Sequence, residues 1–291
     1  MNPVRIVVVR PDRVGDLDPV VRAASAVVDD LRVGEPTERD GLVSVPLDGR
    51  LRSDVATVRQ AVTRPAQSAG WDVAVVSGAP LESVGLLVLD VDSTLITAEV
   101  IELLAEHAGS RTEVAAVTDR AMRGEIDFVE SLRDRVATLA GVPVGALEDV
   151  MHQVHLAPGA TALIARAREH GATIGLVSGG FTEVVTPVAS LLGITHVRAN
   201  SLEVADGRLT GRVSGPVVDR AGKATAMLAW ADQLGVPAGR TVAIGDGAND
   251  LDMLAAAGLG IAYRAKPVVA AGADAAIEIP RLDVAAEFLR W

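Results

Sequence analysis

The chain has 291 residues, a formal net charge of −11 at pH 7, 49% hydrophobic residues and only 2% aromatics, so a large core is within reach but must be packed with Ala, Val and Leu. That charge argues against a nucleic-acid partner, which needs clustered Lys and Arg; it does not argue against small phosphorylated molecules, because a local Lys, Arg or metal outweighs the global field. Cysteine is absent, which excludes disulfides and thiol chemistry and fits a reducing cytoplasm, and no apolar run approaches the ~18 residues of a membrane-spanning helix.

Taken in order, residues 4–9 form a β-branched strand and residues 11–18 a loop. Residues 19–31 have helical character. Residues 31–35 and 42–47 flank a polar turn and pair as a hairpin. Residues 52–69 read as a second helix with Ser53 as N-cap and a break late in it at Pro65. Residues 71–77 are a last strand. The order β-α-β-β-α-β is the ferredoxin-like plan. Residues 1–79 therefore make a first unit, without a His or a Cys, and Gly78, Ala79 and Pro80 a linker. This unit resembles an ACT-type regulatory domain in element order and length, with Gly15 a loose match to the glycine after the first strand. Two readings of it stand: a dimerisation module and an amino-acid sensor.

Residues 80–291 alternate strand and helix, which implies a doubly wound α/β unit with a mostly parallel sheet. Residues 86–89 are a continuous apolar run, hence a buried strand, that runs straight into Asp90 and Asp92, and the chain leaves the sheet through Ser93 and Thr94. Side chains alternate along a strand, so Asp90 and Asp92 share one side with Val91 opposed. Two acids so close repel unless a cation offsets them, and Mg²⁺ prefers hard oxygen ligands. Residues 97–156 contain helical patterns and no strand, with a break near Gly124, so they read as a cap inserted over the sheet edge. Residues 173–177 are a buried strand ending in Ser178-Gly179-Gly180, small residues whose N–H groups suit an oxyanion. Asp206-Gly207 marks a hairpin, and residues 221–234 a helix with Lys223 in its first turn. Residues 241–244 are a third buried strand, ending in Gly245-Asp246-Gly247-Ala248-Asn249-Asp250. Residues 259–262, 275–279 and 283–289 complete the unit.

Open α/β sheets bind ligands outside the carboxyl ends of their strands. Three strands here end in acids, a small hydroxyl and backbone donors, a mixture that suits a site for both a cation and an anion. Carboxylates with Mg²⁺ and no His or Cys ligand suit phosphoryl transfer better than zinc hydrolysis.

The set Asp90-Val91-Asp92-Ser93-Thr94, Ser178-Gly179-Gly180, Lys223 and Gly245-Asp246-Gly247 with Asp250 resembles the haloacid-dehalogenase-type phosphatases. Glu99 and the spacing of Met122, Phe128 and Arg135 resemble the phosphoserine phosphatase branch. The resemblance implies a haloacid-dehalogenase-like fold with a helical cap and Mg²⁺-dependent hydrolysis of O-phosphoserine, the last step of serine biosynthesis. In that scheme Asp90 is the nucleophile that becomes an aspartyl phosphate, and Asp92 is the proton donor. Asp90 (side chain), Asp92 (backbone carbonyl) and Asp246 hold the metal, with Asp250 supporting Lys223 or a metal-bound water. Ser178, Gly179 and Lys223 hold the phosphoryl oxygens, and Asn249 contacts substrate. Glu99 pairs with the ammonium, Arg135 grips the carboxylate, and Met122 and Phe128 close the lid. The alternative is a phosphatase or phosphomutase of the same superfamily acting on another small phosphomonoester. A homodimer, a serine effector at the first unit and a cytoplasmic location complete the expectation.

Overall fold

The computed structural model describes residues 2–11, 15–78, 83–122 and 125–291, apart from the side chain of Met122. The expected linker residues Ala79 and Pro80, the break at Gly124 and the lid residue Met122's side chain therefore lie outside the described residues.

The first unit runs β1 (Pro3–Pro11), α1 (Asp18–Ser25), β2 (Val28–Val33), β3 (Thr37–Arg39), β4 (Leu42–Leu51), α2 (Val55–Ser68) and β5 (Asp72–Ser77). Its strands lie in the order β2-β4-β1-β5 with antiparallel neighbours, which is the ferredoxin-like arrangement. Three local expectations need correction. The first helix stops at Ser25, because Val28 enters the ladder opposite Leu51 and is buried there. The hairpin carries an extra strand, β3, turned onto β4 at Asp40-Gly41 with φ of 50° and 75°. That is the Asp-Gly signal that reappears at Asp206-Gly207. The N-cap of α2 is Asp54, whose carboxylate accepts Thr57 N–H at 2.8 Å, and not Ser53. Pro65 sits inside α2 without ending it.

The second unit begins with β6 (Leu86–Leu89) and continues into α3 (Val100–Ala108), α4 (Arg111–Met122), α5 (Phe128–Ala137) and α6 (Ala146–Met151). Between residues 97 and 156 the described residues form helices joined by turns and irregular segments, with no strand beyond isolated bridges (Ile96 to Leu156, Pro143 to Arg208). Then follow α7 (Ala160–Glu169), β7 (Thr173–Phe181), α8 (Thr182–Leu191), β8 (His196–Ala205), β9 (Arg208–Ser214), α9 (Arg220–Gln233), β10 (Thr241–Gly245), α10 (Leu251–Ala256), β11 (Leu259–Tyr263), α11 (Pro267–Gly272), β12 (Ala275–Ile277) and α12 (Val284–Leu289). The strands lie in the order β12-β11-β10-β6-β7-β8 and pair in parallel, with β9 antiparallel to β8 at the edge. The chain builds outward from β6 through β7 to β8, then returns to the other side of β6 with β10. The strand order reverses at β6, which is where such sheets open a crevice.

The apolar run of β6 serves both faces of this sheet. Leu86 and Val88 pack with Met227, Ala231 and Met253, while Leu87 and Leu89 pack with Leu163, Val184 and Ile261 on the opposite side. That two-sided burial is why the strand shows no polar alternation.

The two units share one sheet. β5 pairs antiparallel with β12, Ala74 opposite Ala275 and Val73 opposite Ala276, so the described residues form a single sheet of twelve strands. One face of the first unit's sheet (Val4, Ile6, Val8, Val45, Leu47) packs under α1 and α2 through Val20, Val58 and Val62. Its other face (Val7, Val9, Leu42, Val76) joins the core of the second unit with Leu282, Val284 and Phe288. At this seam Arg166 bonds Glu287 at 2.6 Å and Asp40 at 2.7 Å, and Ser44 donates to Glu287 at 2.9 Å. Asp72 in β5 accepts the N–H groups of Glu278 and Ile279 at 3.1 and 3.0 Å, and burial pushes its pKa up to about 6. Among the described residues no helix is long and apolar enough to cross a membrane.

Candidate active site

β6, β7 and β10 are neighbours, so their carboxyl ends deliver Asp90, Ser178 and Asp246 to one edge of the sheet. The N–H of Asp90 still bonds the carbonyl of Ile244 at 2.9 Å, but the strand ends there. Residues 91–95 form a tight turn closed by Ile96 N–H to Val91 C=O at 3.0 Å, with Ser93 at a φ of 57°. Asp92 thus reaches the same cavity as Asp90 through a turn and not through strand alternation, a correction to the sequence argument. Ser93 takes up a backbone conformation uncommon for a residue with a Cβ, and its hydroxyl donates to Glu99 Oε1 at 2.6 Å.

Lys223 is fully buried and lies between two carboxylates, 2.8 Å from Asp90 Oδ1 and 2.7 Å from Asp250 Oδ1. Burial lowers its pKa, but Asp250 and Asp90 overcome this and raise it above the ordinary lysine value, so it stays an ammonium. Asp250 Oδ2 accepts Gly247 N–H at 2.9 Å, which ties the glycine turn to the lysine. Asp246 Oδ1 accepts from Thr94 at 3.1 Å. Burial and then the charge of Asp250 push Asp246 up to about 7, and the same two causes raise Asp90, against the pull of Lys223.

Asp92 Oδ1 accepts Val100 N–H at 3.1 Å, and its Oδ2 accepts the Ser178 hydroxyl at 3.2 Å. Burial, then Glu99, push Asp92 up to about 6. Ser178 is fully buried and also accepts Gly180 N–H at 2.7 Å, so its hydroxyl is engaged with Asp92 and its own loop, while Gly179 and Gly180 line the cavity. A Cβ on Gly180 would collide with Asp92 Oδ2, so the close approach of this loop to the acids requires glycine. β7 runs on to Phe181, past the loop that the sequence reading took as its end.

The cap closes the other side of a cavity of about 680 Å³. Glu99, Phe128 and Arg135 line it together with Asp90, Asp92, Asp246 and Asn249. A Cβ built on Gly179 would come within 2.9 Å of Phe128 Cζ, so cap and body touch at this point. Arg135 donates from Nε to Ser131 C=O at 3.2 Å, and burial lowers its pKa while Glu99 and Asp92 oppose that.

Residues 87–255 match the haloacid dehalogenase-like hydrolase family. The chain belongs to that family. It is 52% identical over 230 residues to phosphoserine phosphatase SerB2 of Mycobacterium tuberculosis, covering 79% of this chain and 56% of that protein. It is 53% identical over 227 residues to the phosphoserine phosphatase of Streptomyces coelicolor, covering 78% of this chain and 55% of that protein. The chain thus spans about half the length of these relatives. The crystal structure of a probable phosphoserine phosphatase from Vibrio cholerae superposes with a TM-score of 0.76 at 32% identity, covering 99% of this chain and 86% of that one.

The donor set of this haloacid dehalogenase-like hydrolase fits a divalent cation. Oxygens of Asp90, Asp246 and Asp250 lie within 4.8 Å of one another, and Lys223 pairs with two of the three, Asp90 and Asp250. The cluster holds Asp90 and Asp246, the two acids expected to bind a metal by their side chains, and adds Asp250; Asp92 was expected to bind through its backbone carbonyl. The carboxylate of Asp92 is turned to Val100 and Ser178, and Asp250 stands third. The cavity also exposes residues that motif reading missed. One is Glu102, three residues after Glu99 in the first turn of α3; Thr94, buried behind the cavity, was legible only as part of the Asp90–Thr94 motif and donates to Asp246. Arg264 and Lys266 follow β11, one strand beyond β10, and their one signal was that position past a strand tip.

Proposed function

We propose that this chain is a Mg²⁺-dependent phosphoserine phosphatase that converts O-phosphoserine to serine and phosphate. The observation that carries the reading is one cavity lined by Asp90, Asp92 and, from the cap, an Arg, an acid and an aromatic, with a buried lysine paired to Asp90. The names of the relatives point the same way.

In this scheme Asp90 attacks phosphorus through Oδ2, since Oδ1 takes Val91 N–H at 2.7 Å and the Lys223 ammonium. The bond from phosphorus to the serine oxygen breaks, and Asp92 delivers a proton to that oxygen. A pKa raised to about 6 suits a group that must give a proton near neutrality and take one back. In the second half-reaction water, deprotonated by Asp92, attacks the phosphoryl group on Asp90 and regenerates the free carboxylate. Lys223 and the 178–180 loop, with Gly179 N–H, hold the phosphoryl oxygens, and Asn249 contacts the same group. Ser178 contributes by holding Asp92 and the loop. A Mg²⁺ held by Asp90, Asp246 and the Asp92 carbonyl, with Asp250 behind it, would supply positive charge that offsets the repulsion between the attacking carboxylate and phosphate. Glu99 takes the substrate ammonium, Arg135 its carboxylate, and Met122 and Phe128 close over it.

The reading divides the chain into an ACT-like unit at 1–79 and a phosphatase unit at 80–291 with its cap at 97–156. The ferredoxin-like strand order and the separate core under α1 and α2 support the first unit as ACT-like. A homodimer through that unit, serine as its effector and a cytoplasmic location belong to the same proposal. Phosphate release from a panel of phosphorylated amino acids, with serine counted against phosphate, tests the activity. Equal yields of serine and phosphate support it, and turnover without free phosphate would mean a mutase. Serine binding is to be measured on the full chain, because residues 1–79 alone would expose the face that Val7, Val9 and Leu42 bury against the second unit.

A further inference from the structure

β7 and β8 pair in parallel through Val177 opposite Arg198, and pairing resumes at Phe181 opposite Asn200. Between those pairs β7 advances four residues while β8 advances two, so Ser178-Gly179-Gly180 bulges out of the ladder toward the cavity. A bulge strips backbone groups of their ladder partners, and buried ones must be satisfied otherwise.

The side chain of Asn200 does this. It is almost wholly buried (1% exposed), donates from Nδ2 to the Gly179 carbonyl at 2.8 Å, and accepts Val218 N–H on Oδ1 at 2.7 Å. The partners dictate the amide's orientation, since a carbonyl needs a donor and an N–H needs an acceptor. The peptide joining Gly179 to Gly180 is planar and is now held at both ends, its C=O by Asn200 and its N–H by Ser178 Oγ. Val218 in turn precedes Asp219, the N-cap of α9, which carries Lys223. One side chain therefore links the glycine loop to the start of the lysine helix.

We infer that Asn200 is a positioning residue that sets the oxyanion-facing loop and Lys223 in register around the phosphoryl group. The inference rests on the phosphatase reading and adds a residue to it. No smaller set of atoms does both jobs: an aspartate lacks the donor for Gly179, and an alanine lacks both groups.

The test uses the full chain with Mg²⁺ and three variants, Asn200→Ala, Asn200→Asp and Asn200→Ser. Steady-state kinetics are run on phosphoserine and on a phosphomonoester without a carboxylate, with inhibition by inorganic phosphate and thermal melting alongside. Misplaced phosphoryl-binding groups cost about 10²-fold in kcat/KM. That loss is expected equally on both substrates, mostly in kcat, and with markedly weaker phosphate inhibition. At pH 8 Asn200→Asp keeps the acceptor for Val218 and loses the donor for Gly179, so it should show the same weakening. If any folded variant lacking the Gly179 donor is inhibited by phosphate as strongly as the wild type, Asn200 positions nothing. Should Asn200→Ala fail to fold, the Asp and Ser variants decide by the same ratio. Wild-type turnover of phosphoserine reports separately on the activity itself, and phosphate binding by calorimetry reads out Asn200 even if that turnover is absent.

Discussion

The floor and the wall of the cavity are built differently. On the floor side, Asp90, Ser178, Lys223 and Asp250 are buried; Lys223 holds Asp90 at 2.8 Å and Asp250 at 2.7 Å, and Ser178 donates to Asp92 at 3.2 Å. On the wall, Glu99, Phe128 and Arg135 are half-buried and ride on or beside cap helices. A buried network of charges must be complete before substrate arrives, because an unpaired charge there is costly. A wall that admits and releases substrate cannot be so tied. The proposed function assigns bond-making to the floor and choice of substrate to the wall, and that division can be broken by mutation.

The largest expected effect is on the floor. Asp90→Asn leaves the fold intact and lowers kcat by about 10⁴-fold or more on every phosphomonoester. Retention of metal-dependent turnover in that variant, measured as phosphate release, removes Asp90 as nucleophile. Next comes the wall. Arg135→Ala loses the charged hydrogen bonds to a carboxylate, about 10²-fold in kcat/KM on phosphoserine, with little change on a phosphomonoester that has no carboxylate. Equal loss on both would erase the distinction between floor and wall. Phe128→Ala removes apolar cover and its contact with the glycine loop, and a loss of about tenfold in kcat/KM is expected, carried mainly by KM.

The smallest effect on activity is expected outside both regions, at the seam between the units. Burial raises Asp72 from an ordinary 3.8 to about 6. A folded pKa above the unfolded one means that its stabilisation is fully present below about pH 4 and is lost as pH rises through 6. Across that window the difference amounts to about 3 kcal/mol, at ~1.4 kcal/mol per pH unit. Asp72→Asn should flatten this part of the stability profile, read by urea unfolding at pH 4 to 7, while kcat/KM stays near wild type. A drop in activity as large as that of Arg135→Ala would tie the seam to the chemistry.

Asp90, Ser178 and Asp246 were legible because each sits where an apolar run stops, and apolar runs are readable without knowing their neighbours. The cap was legible as helices without strands. Asp54 in place of Ser53, and the end of α1 at Ser25, were not, because caps and strand entry depend on backbone angles and on a ladder partner such as Leu51, far away in the chain. α7, α8 and α11 went unread, and so did Asn200, a polar residue in a strand whose partners lie 21 and 18 positions away.

From residue order alone came the strand tips that carry acids, the inserted cap and the β-α-β-β-α-β beginning, since periodicity and punctuation are local properties. Tertiary structure alone decided that β5 zips onto β12 to make one sheet of two units, that the carboxylate trio includes Asp250 while Asp92 turns to Ser178, and that Asn200 plugs the bulge. Those outcomes depend on which buried polar groups find partners across long stretches of chain, and only the packed molecule satisfies them together.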